Sequence, residues 1–421
     1  MNELLAVWTD WADWLKPSAG LPTLQWSLLL AIAAAAGHLV QRYSGLPKVL
    51  GYSVVGTFAG LAGFSGAVWP LQGTGLFLLE LGVAVVLFEA GGRIPLRWFR
   101  YNPMVLVQSL AESTITFIAV YLVLRALDVQ ANIASPLALV AMAASPAVLT
   151  RVVRDTRASG PVTERAVVLS TLSTLYALTL CSAKAGLMDS THTGLSATLY
   201  PVVVVLGLSL VVGGLLALTL RSALRIMSPT SENTAMLLLA LIAAATALAA
   251  HFGGSAPLAA LIGGMLLKQL NPRPWAWPHQ LGTASSILIM LMFVLVSTVA
   301  AQADWSRPVA GVVIVLVLVR ALAKVGGVAV ANVGSGARFK QALWVGCAMS
   351  PMSSVALLLV SQFVSASPVL GARIARIGLP AILLMEVLGA VVATVVLYRA
   401  GECSKPWDPA ALANHAGDTR G

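Results

Sequence analysis

Ala-Ala-Ser-Pro-Ala at residues 143–147 interrupts an apolar run that covers residues 134–153. Proline lacks a backbone N–H and its ring clashes with the carbonyl one turn back, so a helix is predicted to break at Pro146. Ala-Met-Ser-Pro-Met-Ser-Ser at residues 348–354 repeats this pattern around Pro351, inside a second apolar run. Two interrupted membrane segments at matching places in two halves of a chain are typical of secondary transporters with inverted repeats.

The composition places the chain among polytopic membrane proteins. Of its 421 residues, 58% are hydrophobic and 10% are charged, which is far too apolar for a soluble domain of this size. The net charge of +10 comes from basic residues scattered singly between apolar runs. The chain is therefore expected to lie in a lipid bilayer, and nucleic acid is not expected as a partner.

The sequence carries no motif for catalysis or for a cofactor. The three cysteines form no Cys-x-x-Cys pair, and neither a nucleophile–base set nor a phosphate loop is visible. Neither an enzyme nor a cofactor is therefore predicted.

The apolar segments are numbered here as spans 1 to 13, each long enough to cross a bilayer. They cover residues 24–41, 48–66, 75–92, 103–126, 134–154, 162–186, 197–220, 233–251, 254–268, 283–301, 308–331, 341–363 and 375–399. Residues 1–23 are predicted to form an amphipathic segment at the membrane surface. Residues 403–421 are predicted to form a polar tail.

The distribution of basic residues predicts an orientation. With the amino terminus outside, the cytoplasmic loops hold about three times as many Lys and Arg residues as the outer loops. This bias indicates an amino terminus outside and a carboxyl terminus in the cytoplasm. The membrane itself is expected to be a bacterial-type inner (plasma) membrane. An odd number of spans also allows spans 1–6 and 8–13 to be inverted repeats joined by span 7.

Four ionisable residues lie deep inside the spans, where charge is costly and is by default a functional hypothesis. Glu112 lies nine residues into span 4, about 13 Å from its end. Arg320 and Lys324 lie one helical turn apart on span 11, and Glu386 lies near the middle of span 13. We expect the four to meet at one depth beside the two breaks. They form either an ion pathway, in which a basic residue competes for a carboxylate, or permanent salt bridges that fix helix packing.

Hydroxyl side chains surround the predicted breaks. The candidates for ion binding are Ser145, Ser173, Thr174 and Ser350. Together with free carbonyls at half-helix ends, such hydroxyls suit a dehydrated monovalent cation. The alternative is that they only satisfy the backbone of their own helices.

Four stretches carry a resemblance to a known family. Gly-Leu-Pro-Lys-Val-Leu-Gly-Tyr (45–52), Leu-Phe-Glu-Ala-Gly (87–91), Ser-Ala-Pro-Leu-Ala-Ala-Leu-Ile-Gly-Gly-Met (255–265) and Met-Glu-Val-Leu-Gly (385–389) occur in this order. By their order and spacing the chain resembles the cation:proton antiporter superfamily, and within it the Kef-type monovalent cation:proton branch, over about residues 24–402.

The resemblance implies an all-α, sodium/proton antiporter-like fold with about 13 transmembrane helices and two crossed broken helices. It implies a panel (24–92 and 233–301), a moving core (103–186 and 308–399) and a linker helix (197–220). It also implies a homodimer that works by an elevator motion.

The resemblance further implies a proton-binding aspartate on span 6, at a position that falls at about Thr174 here. The family's basic residue on span 11 corresponds to Lys324. Two hypotheses follow from the missing aspartate. Either Glu112 has taken over the carboxylate role, and the chain exchanges Na⁺ or K⁺ for protons. Or the chain is a diverged, non-exchanging member that carries another solute, such as an anion, or serves as a membrane partner protein.

Overall fold

The computed structural model describes residues 21–64, 67, 69–94, 96–188, 195–228, 231–271 and 279–404. In these ranges every regular element is an α-helix, and one isolated β-bridge joins Ala158 to Cys403. Most of the predicted amphipathic segment 1–23 and of the predicted tail 403–421 lies outside the described residues. The predicted all-α fold class is confirmed.

The helices are numbered in chain order over the described part of the chain. They are α1 (Leu21–Ser44), α2 (Lys48–Leu61), α3 (Gly73–Gly92), α4 (Leu96–Tyr101), α5 (Pro103–Ala126), α6 (Ala131–Met142), α7 (Pro146–Thr156), α8 (Pro161–Gly186), α9 (Leu195–Ile226), α10 (Glu232–His251), α11 (Ala256–Leu270), α12 (His279–Ala301), α13 (Arg307–Val330), α14 (Phe339–Ala348), α15 (Ser354–Ala366) and α16 (Pro368–Arg399). Among the described residues, nine segments are long and apolar enough to cross a membrane, and four shorter apolar helices accompany them.

Some predicted boundaries differ from the helix ends by several residues. Helix α2 ends at Leu61 rather than at residue 66, since Gly63 adopts a left-handed backbone with φ of +77°, a common way to end a helix. Helix α9, in the segment for which the resemblance implies a linker, runs from Leu195 to Ile226 and is longer than residues 197–220. Helix α16 begins at Pro368 instead of residue 375, so it includes Arg373 as well as Arg376.

Both predicted breaks are present, and they touch. Helix α6 ends at Met142 and α7 begins at Pro146, while α14 ends at Ala348 and α15 begins at Ser354. The Ser145 N–H donates a hydrogen bond of 3.0 Å to the Pro351 carbonyl. The Ser145 hydroxyl also accepts the N–H of Val148 and so caps α7. The two unwound stretches therefore cross inside the helical bundle, as predicted.

The bundle is linked by charged contacts at both ends. At the basic end, defined by Arg93, Arg151 and Arg154, the Glu89 carboxylate pairs with Arg93 at 2.9 Å and also with Arg154. The pair with Arg154 joins α3 to α7. At the opposite end, Arg376 of α16 pairs with Asp304 at 2.7 Å. The N–H of Ser306 and this guanidinium hold the pKa of Asp304 below its ordinary value.

Glu402, which follows α16, caps the start of α8. Its carboxylate accepts the N–H of Val162 at 2.8 Å and the N–H and hydroxyl of Thr163 at 2.7 and 2.6 Å. These N–H groups have no partner within the helix, and the helix dipole favours an anion there. A Cβ at Gly160 would lie 2.4 Å from the Glu402 Cδ, so a larger residue at this position would push the carboxylate away from its present place.

We expect Glu402→Ala to lower the free energy of unfolding by about 1–2 kcal/mol, since three donors lose their acceptor at once. The midpoint of thermal unfolding of the purified protein in detergent measures this loss. Glu402→Gln keeps one acceptor oxygen and should show a smaller decrease. An unchanged midpoint for Glu402→Ala would contradict the capping role.

Candidate functional site

Arg320 fills the crossing of the two broken helices. Its side chain is completely buried. Its guanidinium donates hydrogen bonds to the carbonyls of Ala141 at 2.9 Å, Ala143 at 2.7 Å and Ser350 at 2.6 Å. Carbonyls at a helix end lack intrahelical partners and carry the negative end of the helix dipole. Arg320 therefore supplies a fixed positive charge where two half-helices end.

Glu112 and Lys324 form a buried ion pair beside the crossing. The Lys324 Nζ lies 2.5 Å from the Glu112 Oε1, and both side chains are fully buried. The same ammonium donates to the Met142 carbonyl at 2.9 Å. Ser113 and Thr116 each donate a hydroxyl to the Glu112 carboxylate at 3.2 Å. The pair thus connects α5 and α13 to the end of α6, and its two charges compensate each other.

The predicted hydroxyls divide into two groups. The Thr174 hydroxyl lies 2.8 Å from the Ala144 carbonyl in the unwound stretch and 2.7 Å from the Ser170 carbonyl of its own helix. Ser145 contributes its cap and its N–H to the crossing, and Ser350 contributes its carbonyl. The Ser173 hydroxyl instead donates to the Ser170 carbonyl at 3.1 Å. The structure therefore brings Ser145, Thr174 and Ser350 to the crossing and turns Ser173 toward its own helix.

Glu386 lies apart from the other three buried charges. Its carboxylate accepts the hydroxyls of Ser53 at 2.5 Å, Ser297 at 2.7 Å and Ser353 at 2.7 Å. It makes no ion pair or hydrogen bond with Glu112, Arg320 or Lys324. Glu386 thus lies beside the second break but contacts none of the other three charges, because Ser353 at the edge of the crossing and two serines outside it hold its carboxylate in a cluster of its own.

Sequence reasoning predicted free carbonyls at the half-helix ends without assigning them to residues 141–143, and it missed Ser53 and Ser297. Single serines inside apolar spans give no signal, since most of them bond to their own helix. The carbonyls could have been identified, because a proline at residue 146 leaves the preceding turn without donors. Within the described ranges, no three His, Cys, Asp or Glu side chains come together as a metal site would need. The chemistry of the crossing therefore rests on two cations, one carboxylate, hydroxyls and carbonyls.

The fold matches solved structures of one archaeal transporter. A structure of the sodium proton antiporter MjNhaP1 from Methanocaldococcus jannaschii at pH 8 aligns with a TM-score of 0.65 and 16% identity, covering 90% of this chain and 98% of that one. An electron-microscopy structure of the same antiporter aligns with a TM-score of 0.72 and 17% identity, covering 93% and 100%. At this identity the likeness shows a shared fold. No curated protein matches the sequence.

The sequence itself shows the family. Residues 27–398, from α1 to the last turn of α16, match the family described as sodium/hydrogen exchanger, transmembrane. This stretch includes both broken helices, the Arg320 crossing, the Glu112–Lys324 pair and the Glu386 cluster. The chain is a multi-pass membrane protein that belongs to the sodium/hydrogen exchanger family.

Proposed function

We propose that this chain exchanges a monovalent cation, Na⁺ or K⁺, for protons, and that Glu112 is the carboxylate that binds the cation. The single observation that supports this site most is the closed Glu112–Lys324 pair, with 2.5 Å between its charged atoms. The Lys324 ammonium occupies the position beside the carboxylate that a bound cation would take. In this proposal Thr174 stands where the family resemblance implies an aspartate, and Glu112 on the neighbouring helix replaces that carboxylate.

In this proposal the two charges of the Glu112–Lys324 pair set the ratio of cations to protons. A cation that reaches Glu112 displaces the Lys324 ammonium, and the displaced amine loses its proton to water, because a second uncompensated positive charge is costly in the membrane. When Lys324 takes up a proton again, it returns to Glu112 and releases the cation. Each cycle then exchanges one cation for one proton. Lys324 also holds the Met142 carbonyl at 2.9 Å, so its movement would free an oxygen that can contribute to binding the cation.

Arg320 has a different role in the proposal. Its donors are engaged with the carbonyls of Ala141, Ala143 and Ser350, and it keeps the crossing rigid while the Glu112–Lys324 pair changes partners. This arrangement also weighs against an anion carrier. Both buried cations already have acceptors in the protein, so neither offers an unpaired charge to an anionic solute.

The proposed transport motion is an elevator. All residues of the crossing and of the Glu112–Lys324 pair fall within the core proposed above, residues 103–186 and 308–399. The site would therefore move as one unit relative to the panel, residues 24–92 and 233–301. We further propose a homodimer in the inner membrane, with the amino terminus outside and the carboxyl terminus in the cytoplasm, as the resemblance and the basic loops indicate.

Proteoliposomes loaded with a pH dye test the exchange. Addition of NaCl or KCl to wild-type vesicles should move protons, whereas choline chloride should not. Glu112→Gln should reduce the initial rate at least tenfold because a neutral amide binds neither the cation nor Lys324 strongly. Glu232→Gln, at the exposed start of α10, is the matched control and should behave like wild type.

Two results would count against the proposal. If neither NaCl nor KCl moves protons in wild-type vesicles, the result would favour the diverged, non-exchanging alternative. Undiminished exchange by Glu112→Gln would show that exchange occurs but that its carboxylate lies elsewhere in the chain.

A further inference from the structure

Glu386 sits in a closed shell of hydroxyl oxygens. Its side chain is 1% exposed, and the hydroxyls of Ser53, Ser297 and Ser353 lie 2.5 to 2.7 Å from its two carboxylate oxygens. Each serine comes from a different segment: α2, α12 and the unwound stretch before α15. A hydroxyl can accept as well as donate, so the same oxygens can turn their lone pairs toward a cation.

No basic side chain compensates this carboxylate in the part of the chain that the structure describes. The charged or titratable groups on the helices around it have other partners or positions. Arg320 of α13 is bonded to the carbonyls of the crossing, and Arg151 of α7 is paired with Asp155 at 3.3 Å. Tyr52 of α2 lies against Gly37 of α1. An isolated ionised carboxylate is too costly to bury, so this one needs a proton or a cation of its own.

The backbone of α16 comes unusually close to the unwound stretch at this cluster. A Cβ at Gly389, one turn beyond Glu386, would lie 2.5 Å from the Cα of Pro351. Only a glycine permits this separation, which brings Glu386 within reach of Ser353. The cluster is therefore built by close packing and is as well enclosed as the Glu112–Lys324 pair.

We propose that Glu386, Ser53, Ser297 and Ser353 form a second ion site, which binds a small monovalent cation of the sodium type in exchange for one proton. The carboxylate neutralises the cation, and the three hydroxyls supply the remaining oxygen ligands. When the cation leaves, a proton from water neutralises the carboxylate. This binding does not depend on whether Glu112 exchanges ions.

The second ion site lies where the proposed panel meets the proposed core, so its occupancy would affect movement of the core. Ser53 and Ser297 lie on helices of the proposed panel, whereas Ser353 and Glu386 belong to the proposed core. A ligand held by all four ties these two parts together. The loss of either serine on the panel side should weaken binding without disturbing the crossing.

Calorimetric titration of NaCl into the full-length Glu112→Gln protein in detergent tests the proposal, with choline chloride as the reference salt. Two buffers of different ionisation enthalpy report the number of protons released. We expect saturable sodium binding with release of about one proton per site. Glu386→Gln in the same background should abolish both the sodium binding and the proton release. Ser53→Ala and Ser297→Ala should each weaken binding about fivefold to tenfold, as the loss of one oxygen ligand predicts.

Thr298→Ala in the Glu112→Gln background is the control. Thr298 is also buried, but its hydroxyl bonds to the Val294 carbonyl of its own helix, so sodium binding should not change. Absence of sodium binding in the Glu112→Gln protein would overturn the second site and leave the proposed exchange at Glu112 intact. Binding that persists unchanged in the Glu386→Gln or the serine variants would overturn it as well.

Discussion

Lys324→Met is expected to lower the free energy of unfolding by about 3–5 kcal/mol, because it leaves the Glu112 carboxylate buried without its counter-charge. The two charged atoms are 2.5 Å apart and neither side chain is exposed, so water cannot take over the role of Lys324. Methionine fills a similar volume, and the loss therefore reports the charge rather than a cavity. Thermal or denaturant unfolding of the purified protein in detergent measures the effect.

The double variant Glu112→Gln with Lys324→Met should recover most of this stability. Replacing both partners removes the uncompensated charge, and buried ion pairs often contribute little net stability against a neutral pair of similar volume. The double-mutant cycle therefore isolates the coupling between the two residues. Additive losses from the two single changes would contradict a direct pair.

Arg320→Met should produce the other large loss of stability, about 3 kcal/mol or more. Three buried carbonyls, those of Ala141, Ala143 and Ser350, lose their charged donor together. An unsatisfied buried polar group costs about 1–3 kcal/mol. Because Arg320 is fully buried, bulk solvent cannot readily replace its guanidinium, and the crossing itself should loosen. The midpoint of thermal unfolding in detergent measures this effect.

Two further variants provide comparisons for the unfolding midpoint of Arg320→Met. Arg320→Lys keeps the charge but cannot present donors in three directions, so its midpoint should lie between those of wild type and Arg320→Met. Arg376→Met removes an arginine that pairs with Asp304 at the exposed end of the bundle, and its midpoint should stay near that of wild type. Equal effects of Arg320→Met and Arg376→Met would show that the crossing does not rest on Arg320.

Features that depend on local chemistry could be predicted from the sequence. Pro146 and Pro351 specify where two helices must break, and the apolar runs specify the membrane segments. The shared depth of Glu112 and Lys324 could also be predicted, since both depths follow from counting residues along the spans at a fixed rise.

Features that depend on helix rotation and tertiary contact could not be predicted. The depth of Glu386 gives no indication of which way its side chain points or which hydroxyls it contacts. Ser53 and Ser297 stand more than two hundred residues apart in the sequence, and only the packing of α2, α12 and α16 brings them to one carboxylate. The capping of α8 by Glu402 likewise depends on where the chain turns after α16, which no local pattern specifies.

The most direct test of the central claim is an experimental structure at high pH in saturating Tl⁺, a heavy monovalent cation that is readily located. The proposal predicts density for the ion beside the Glu112 carboxylate, with the Lys324 amine moved away from the 2.5 Å contact. A structure in which Lys324 remains bonded to Glu112, while Tl⁺ occupies other positions or none, would contradict the claim that the cation and this lysine compete for one carboxylate.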